Sequence, residues 1–169
     1  VDKNGVYKYT LFSFRKWAFS DIRTFLEISY KTGKMHRNFT QLHIHCVWGT
    51  CERLPLITPD IQEVIYSAIV KQCSDLGCKV IAIGGTVDHI HLLTGFPPKL
   101  TISELMQKAK GSSSHLITHE IKPHEFFKWQ GGYGAFTVSH HLIDQIANYI
   151  RNQATHHQQK SLIFDWEII

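Results

Sequence analysis

Two histidines separated by one apolar residue, His89-Ile90-His91, lie in the run Val87-Asp88-His89-Ile90-His91-Leu92-Leu93, which has the composition of a strand. Alternate residues of a strand face one side, so both imidazoles project together, close enough to share one divalent metal. Such a pair is half a site. A complement lies far along the chain in Asn148-Tyr149-Ile150-Arg151-Asn152-Gln153, where Tyr149 and Gln153 are spaced by one helical turn and share a helix face. Gln153 offers an amide oxygen as a third ligand, and Tyr149 a phenolic oxygen beside the metal. Two imidazole nitrogens and one amide oxygen leave positions open on the ion. This mixed set suits Mn2+ and tolerates Mg2+, whereas a closed structural zinc site needs four protein ligands. The chemistry on offer is attack by a tyrosine oxygen assisted by a Lewis acid.

The elements that must position these residues follow from periodicity. Gln41 to Gly49 reads as a first strand, and a helix follows from about Ile61 to Leu76, capped near Thr58 to Asp60 and ended by Gly77. Lys79 to Gly85 is a second strand, and a short turn makes an antiparallel hairpin with the histidine strand. Ser103 is placed to cap a second helix from about Glu104 to His119. Phe126 to Trp129 and Tyr133 to Val138 read as strand material around a Gln130-Gly131-Gly132 turn, with Trp129, Tyr133 and Phe136 assigned to the core. A last helix runs from Ser139 to about His157. The order β-α-β-β-α-β plus a terminal helix predicts an α+β, ferredoxin-like split βαβ fold. Its antiparallel sheet carries helices on one face, and the terminal helix brings Tyr149.

Composition bounds the rest. The 169 residues are 43% hydrophobic and 19% charged, as expected of a globular chain able to bury a core. Eighteen Lys and Arg against fourteen Asp and Glu give a formal charge of +4, which suits a polyanionic partner. No apolar run reaches the roughly 20 residues of a membrane span, and no signal peptide pattern is visible, so an intracellular, cytoplasmic protein with no membrane partner is expected. Residues 1–34 are basic and interleaved with aromatics. They read as an extension ahead of a start at Met35, with a single catalytic domain at 35–169. Cys46, Cys51, Cys73 and Cys78 form two C-x4-C pairs, but Cys46 lies in a strand-like run and Cys73 in a helix-like one, where free cysteine is a small core residue; neither disulfides nor zinc are expected there.

Five motifs in order carry a resemblance: His89-x-His91, Lys110-Gly111-Ser112-Ser113-Ser114, Trp129-Gln130-Gly131-Gly132-Tyr133-Gly134-Ala135-Phe136, Tyr149-x-x-x-Gln153, and the stretch from Tyr149 to His156-His157. Over about residues 36 to 165 the chain resembles the single-tyrosine transposases of the IS200/IS605 type, in the HUH endonuclease superfamily. The resemblance implies a transposase of single-stranded DNA that recognises hairpins near element ends. It also implies a Tyr149 attack leaving a 5′-phosphotyrosine link and a free 3′-hydroxyl, metal ligation by His89, His91 and Gln153, nucleoid association when DNA is bound, and a homodimer. In such dimers the tyrosine helix of one subunit commonly completes the site of the other, and the sequence is compatible with either arrangement.

Other residues enter with smaller roles. Lys108, Lys110 and Arg151 are basic and close in sequence to elements flanking the site, which makes them phosphate-contact candidates. Asp88 reads first as a turn residue, since strand alternation points it away from His89. His43 and His45 form a second His-x-His without a Tyr-x-x-x-Gln partner, and read as strand residues near DNA or core. His156 and His157 read as a solvated helix end. Two other functions compete: a domesticated DNA- or RNA-hairpin-binding regulator without cleavage, and a metallohydrolase using a metal-bound water.

Overall fold

The computed structural model describes residues 40–153; the chain divides into two compact units, Val1–Phe39 and Thr40–Ile169, and the described residues lie in the second. The basic extension at 1–34, and His156 with His157, lie outside the described residues. Strand β1 (His43–Gly49) is followed by a 3-10 turn at Cys51–Arg53 and helix α1 (Pro59–Asp75). Then come β2 (Lys79–Gly85), β3 (His89–Gly95), α2 (Ile102–Leu116), β4 (Gly134–Thr137) and α3 (Ile143–Arg151). The strands form a four-stranded sheet in the order β2-β3-β1-β4, with every pairing antiparallel. This is the expected split βαβ arrangement.

The period-2 alternation of β1 and β3 sorts their side chains between two cores. Ile44, Cys46 and Trp48 of β1 and Ile90 and Leu92 of β3 face the larger core, against Ile61, Ile65, Ile69 and Cys73 of α1 and Leu105, Met106 and Ala109 of α2. The α1 residues recur every fourth position, so one stripe of the helix is buried. Each fully buried isoleucine there contributes about 1.5–3 kcal/mol. On the opposite face Ala82 and Leu93 pack with Val138 and with Ile146, Ala147 and Ile150 of α3. Among the described residues, α3 therefore has that sheet face to itself. All four cysteines are free; Cys46, Cys73 and Cys78 are buried, and burial pushes the Cys46 and Cys73 thiols up to about 12.

Several boundaries differ from those read in the sequence. Helix α2 is capped by Thr101, whose side chain accepts from the Glu104 N–H at 3.1 Å, in a Thr-x-x-Glu capping pattern; Ser103 lies inside the first turn. After Leu116 the helix widens into a π turn at Ile117–Ile121. Phe126 to Trp129 does not form a strand and makes a single bridge, Trp129 to Thr50. Its polar groups are met from elsewhere. The Trp129 indole N–H donates to Ser113 Oγ at 3.0 Å, and the Lys110 ammonium donates to the carbonyls of Gln130, Gly131 and Gly132. Trp129 is core, but Tyr133 is exposed because it precedes β4 instead of lying on its inward face, and Phe136 is half-buried. The last helix opens with a 3-10 turn at His140–Leu142, so its α-helical part begins at Ile143. No helix among the described residues is long and apolar enough to cross a membrane.

Candidate active site on the α3 face of the sheet

His89 and His91 share the phase of Leu93, so they point to the α3 side of the sheet. Both are fully buried, and their ring centroids are 5.0 Å apart. Helix α3 buries Ile146, Ala147, Tyr149 and Ile150, and its stripe continues to Gln153, which is 1% exposed. The aliphatic members of that stripe dock the helix, and the same docking brings Tyr149 against His91, edge to face, with centroids 6.2 Å apart. One chain thus supplies both the histidine pair and the tyrosine helix.

The close approach of α3 depends on Gly84 of β2. A β-carbon there would fall well inside van der Waals contact of the Ile150 backbone carbonyl. A bulge between Val80 and Ala82 sets the phase that turns Gly84 to the helix. Beside it the Arg151 guanidinium donates to the Ile81 carbonyl at 3.1 Å, tying the helix end to the bulged strand.

Each imidazole has its Nδ1 committed. His89 Nδ1 lies 2.6 Å from Asp88 Oδ1, which also accepts from the Thr86 hydroxyl at 2.7 Å. A carboxylate only accepts, so the His89 proton sits on Nδ1 and Nε2 carries the lone pair. Burial tends to raise the Asp88 carboxyl, but the hydrogen bonds from His89 and Thr86 and the charges of His89 and Arg53 hold it below its ordinary value. Burial lowers the His89 imidazole to about 4, outweighing the pull of Asp88, so the ring is neutral at physiological pH and fit to coordinate. The Arg53 Nε donates to Asp88 Oδ2 at 3.0 Å from a turn in which Glu52 and Arg53 hold φ of 53° and 57°. Two adjacent side-chain-bearing residues in the left-handed region cost energy that the surrounding fold must offset. On the other ring, His91 Nδ1 lies 2.9 Å from Nε2 of His45.

The donor set fits a divalent cation. Among the described residues no group of three or more His, Cys, Asp or Glu could hold a metal ion; the residues whose chemistry could do so on this face are His89 and His91, through imidazole nitrogen, with Gln153, through its amide oxygen. All three residues are buried polar groups, a costly arrangement unless their polar atoms are used.

Of the remaining sequence candidates, Lys108 and Arg151 are exposed, and Lys110 is half-buried with its ammonium engaged by the three loop carbonyls. Sequence reasoning underrated Asp88, which sits in the turn before β3, where strand alternation does not apply. It also left His45 without a role, although a second His-x-His in phase on the neighbouring strand was a usable signal. Gly84 carried no signal, because its importance lies in a contact with residues far along the chain.

The chain matches the family described as Transposase IS200 like over residues 38–153. It is 27% identical over 116 residues to the transposase for insertion sequence element IS200 of Salmonella typhimurium, covering 64% of this chain and 74% of that protein, and matches its Salmonella typhi counterpart equally. Among solved structures, a candidate transposase from Deinococcus radiodurans R1 superposes with a TM-score of 0.57 at 26% identity, covering 71% of this chain and 96% of the other. A REP-associated tyrosine transposase bound to a REP hairpin superposes with a TM-score of 0.56 at 14% identity over 73% of each chain, a likeness of fold. Since the family match runs from the residues just before β1 through Gln153 and takes in every element described above, this chain belongs to the IS200-like transposase family.

Proposed function

We propose that this chain is a metal-dependent transposase of single-stranded DNA that cleaves and rejoins strands through a 5′-phosphotyrosine link at Tyr149. The observation carrying this reading is the Tyr149 ring set edge to face against buried His91, beside His89, by a helix from a separate part of the chain that also carries the buried Gln153. The Tyr149 oxygen gives up its proton and attacks phosphorus, a P–O bond forms, the bond to the 3′ oxygen breaks, and that oxygen takes up one proton and leaves as a 3′-hydroxyl, so no net proton is gained or lost. Attack by a 3′-hydroxyl on the link reverses the step, so no nucleoside triphosphate is consumed. His89, His91 and Gln153 would hold a Mg2+ or Mn2+ ion, which would supply Lewis-acid stabilisation of the charge that develops on the phosphate.

The other residues serve binding and order. Asp88 fixes the His89 ring. Lys108 and Arg151 offer charge to phosphates, and Lys110 adds its charge while holding the loop at 130–132. A cleft beside α2 lined by Lys110, His115, His119, Lys128 and Trp129 adds a basic surface suited to a nucleic acid. The relative bound to a REP hairpin supports hairpin ends as the ligand.

The test uses labelled single strands bearing a hairpin and its flank. An SDS-resistant protein–DNA adduct is expected with Mn2+ or Mg2+ and is lost in EDTA. Undiminished cleavage in EDTA sinks the metal role, and binding without cleavage at any metal concentration favours a hairpin-binding regulator.

The homodimer belongs to the same proposal, with each chain completing its own site, because α3 is docked on β2 and β3 of its own chain. A mixed dimer of His89→Ala and Tyr149→Phe chains is then expected to stay inactive. Restored cleavage means that the helix is exchanged between subunits.

A further inference from the structure

We infer that His45 is the positioning residue for His91, accepting its Nδ1 proton and so keeping Nε2 of His91 deprotonated for a metal; the inference rests on the metal role proposed above. In the register of β1 and β3, His45 stands opposite Leu93 and His91 opposite Val47, so the two histidines are diagonal neighbours on one face. Diagonal partners lie about 7–8 Å apart at the backbone, a gap that two imidazoles can bridge. Their facing nitrogens are 2.9 Å apart while the ring centroids stand 5.1 Å apart, with planes within 18° of parallel. That is the geometry of two rings meeting edge to edge in nearly one plane, where an N–H points along an in-plane lone pair.

A hydrogen bond between two neutral imidazoles needs one N–H and one lone pair. If His45 donated, the His91 proton would sit on Nε2 and block coordination. If His91 donates, Nε2 carries its lone pair and the His45 proton sits on Nδ1. Metal ligation therefore selects both tautomers. His45 is 1% exposed and tilted against Phe136 at 6.0 Å, a place where an apolar side chain would be cheaper to bury.

The two ligand rings are thus held by unlike partners, a carboxylate for His89 and an imidazole for His91. A neutral acceptor orients its ring without adding negative charge. That matters in a site meant to receive a phosphodiester, which a second carboxylate would repel.

The test measures Mn2+ affinity by electron paramagnetic resonance of free Mn2+, with no DNA present. His45→Phe keeps an aromatic ring but no acceptor and is expected to weaken Mn2+ binding about 10–100-fold, the usual cost of losing such a partner. His45→Gln restores an acceptor at similar reach and is expected to recover most of the loss. Equal affinity in His45→Phe and wild type overturns the inference and leaves the metal role standing. Wild type binding Mn2+ no better than His89→Ala overturns the metal role, and the inference with it. Long-range 1H–15N spectra of histidine-labelled, metal-free wild type need no variant to fold. Protons on Nδ1 of both His91 and His45 are expected, and a proton on Nε2 of His91 overturns the inference.

Discussion

Tyr149→Phe is expected to abolish the covalent protein–DNA adduct and to lower strand cleavage by on the order of 10⁴-fold or more, as deletion of a nucleophile does elsewhere, while hairpin binding persists. The physical basis is that the substitution removes one oxygen and leaves the packing. The Tyr149 ring is 95% buried against His91, and a phenyl ring of the same shape keeps that contact. The lost hydroxyl costs roughly 1 kcal/mol of folding stability, the net worth of a typical hydrogen bond. Adduct formation, read on a denaturing gel, therefore separates chemistry from folding, which thermal melting follows. A persistent adduct in the variant means that another residue is the nucleophile. Cleavage that survives without any adduct points to hydrolysis by an activated water.

Gly84→Ala is expected to cost at least about 10²-fold in cleavage although residue 84 touches no substrate. The added β-carbon meets the Ile150 backbone carbonyl, which cannot rotate away as a side chain would, so α3 must move. Displacing a reacting group by about 1 Å is worth roughly that factor, and overpacking adds about 1–3 kcal/mol of destabilisation. The pattern of effects is diagnostic. His89, held by its local turn with Asp88 and Thr86, keeps its surroundings, so Mn2+ binding should fall less than cleavage. Cleavage at the wild-type rate in a folded Gly84→Ala protein contradicts the tight docking of α3.

The residues that converge were legible wherever spacing within one element decides the matter. His89 and His91 share a face because a strand alternates, and Tyr149 and Gln153 because a helix repeats. The split βαβ arrangement followed from the sequence of elements. What was not legible depends on contacts between elements. Lys110 resembles a surface charge in sequence and is spent on three loop carbonyls. Phe126 to Trp129 has the apolar and aromatic content of a strand, yet its hydrogen bonds run to Ser113 of α2 and to Cys51 in the turn after β1. Asp88 was read as a turn residue, as it is, but its contact with His89 was hidden because the alternation rule was carried one position past the start of β3. His45 lacked a partner in sequence and found it diagonally across a ladder.

The separate apolar layer beneath α3 has a consequence for how the protein holds its reactivity in check. Among the described residues that layer is the smaller, and its helix spans Ile143–Arg151, whereas α1 and α2 share the larger core. A short element on a small patch opens locally at lower free energy than the whole domain unfolds. Undocking α3 alone would part Tyr149 from the histidine pair, and on the function proposed above that opened form would keep the sheet folded with the tyrosine withdrawn. Amide exchange measures the population of that state. Protons of α3 should exchange ahead of those in α1 and β3, and equal protection throughout would mean that the site is as permanent as the fold.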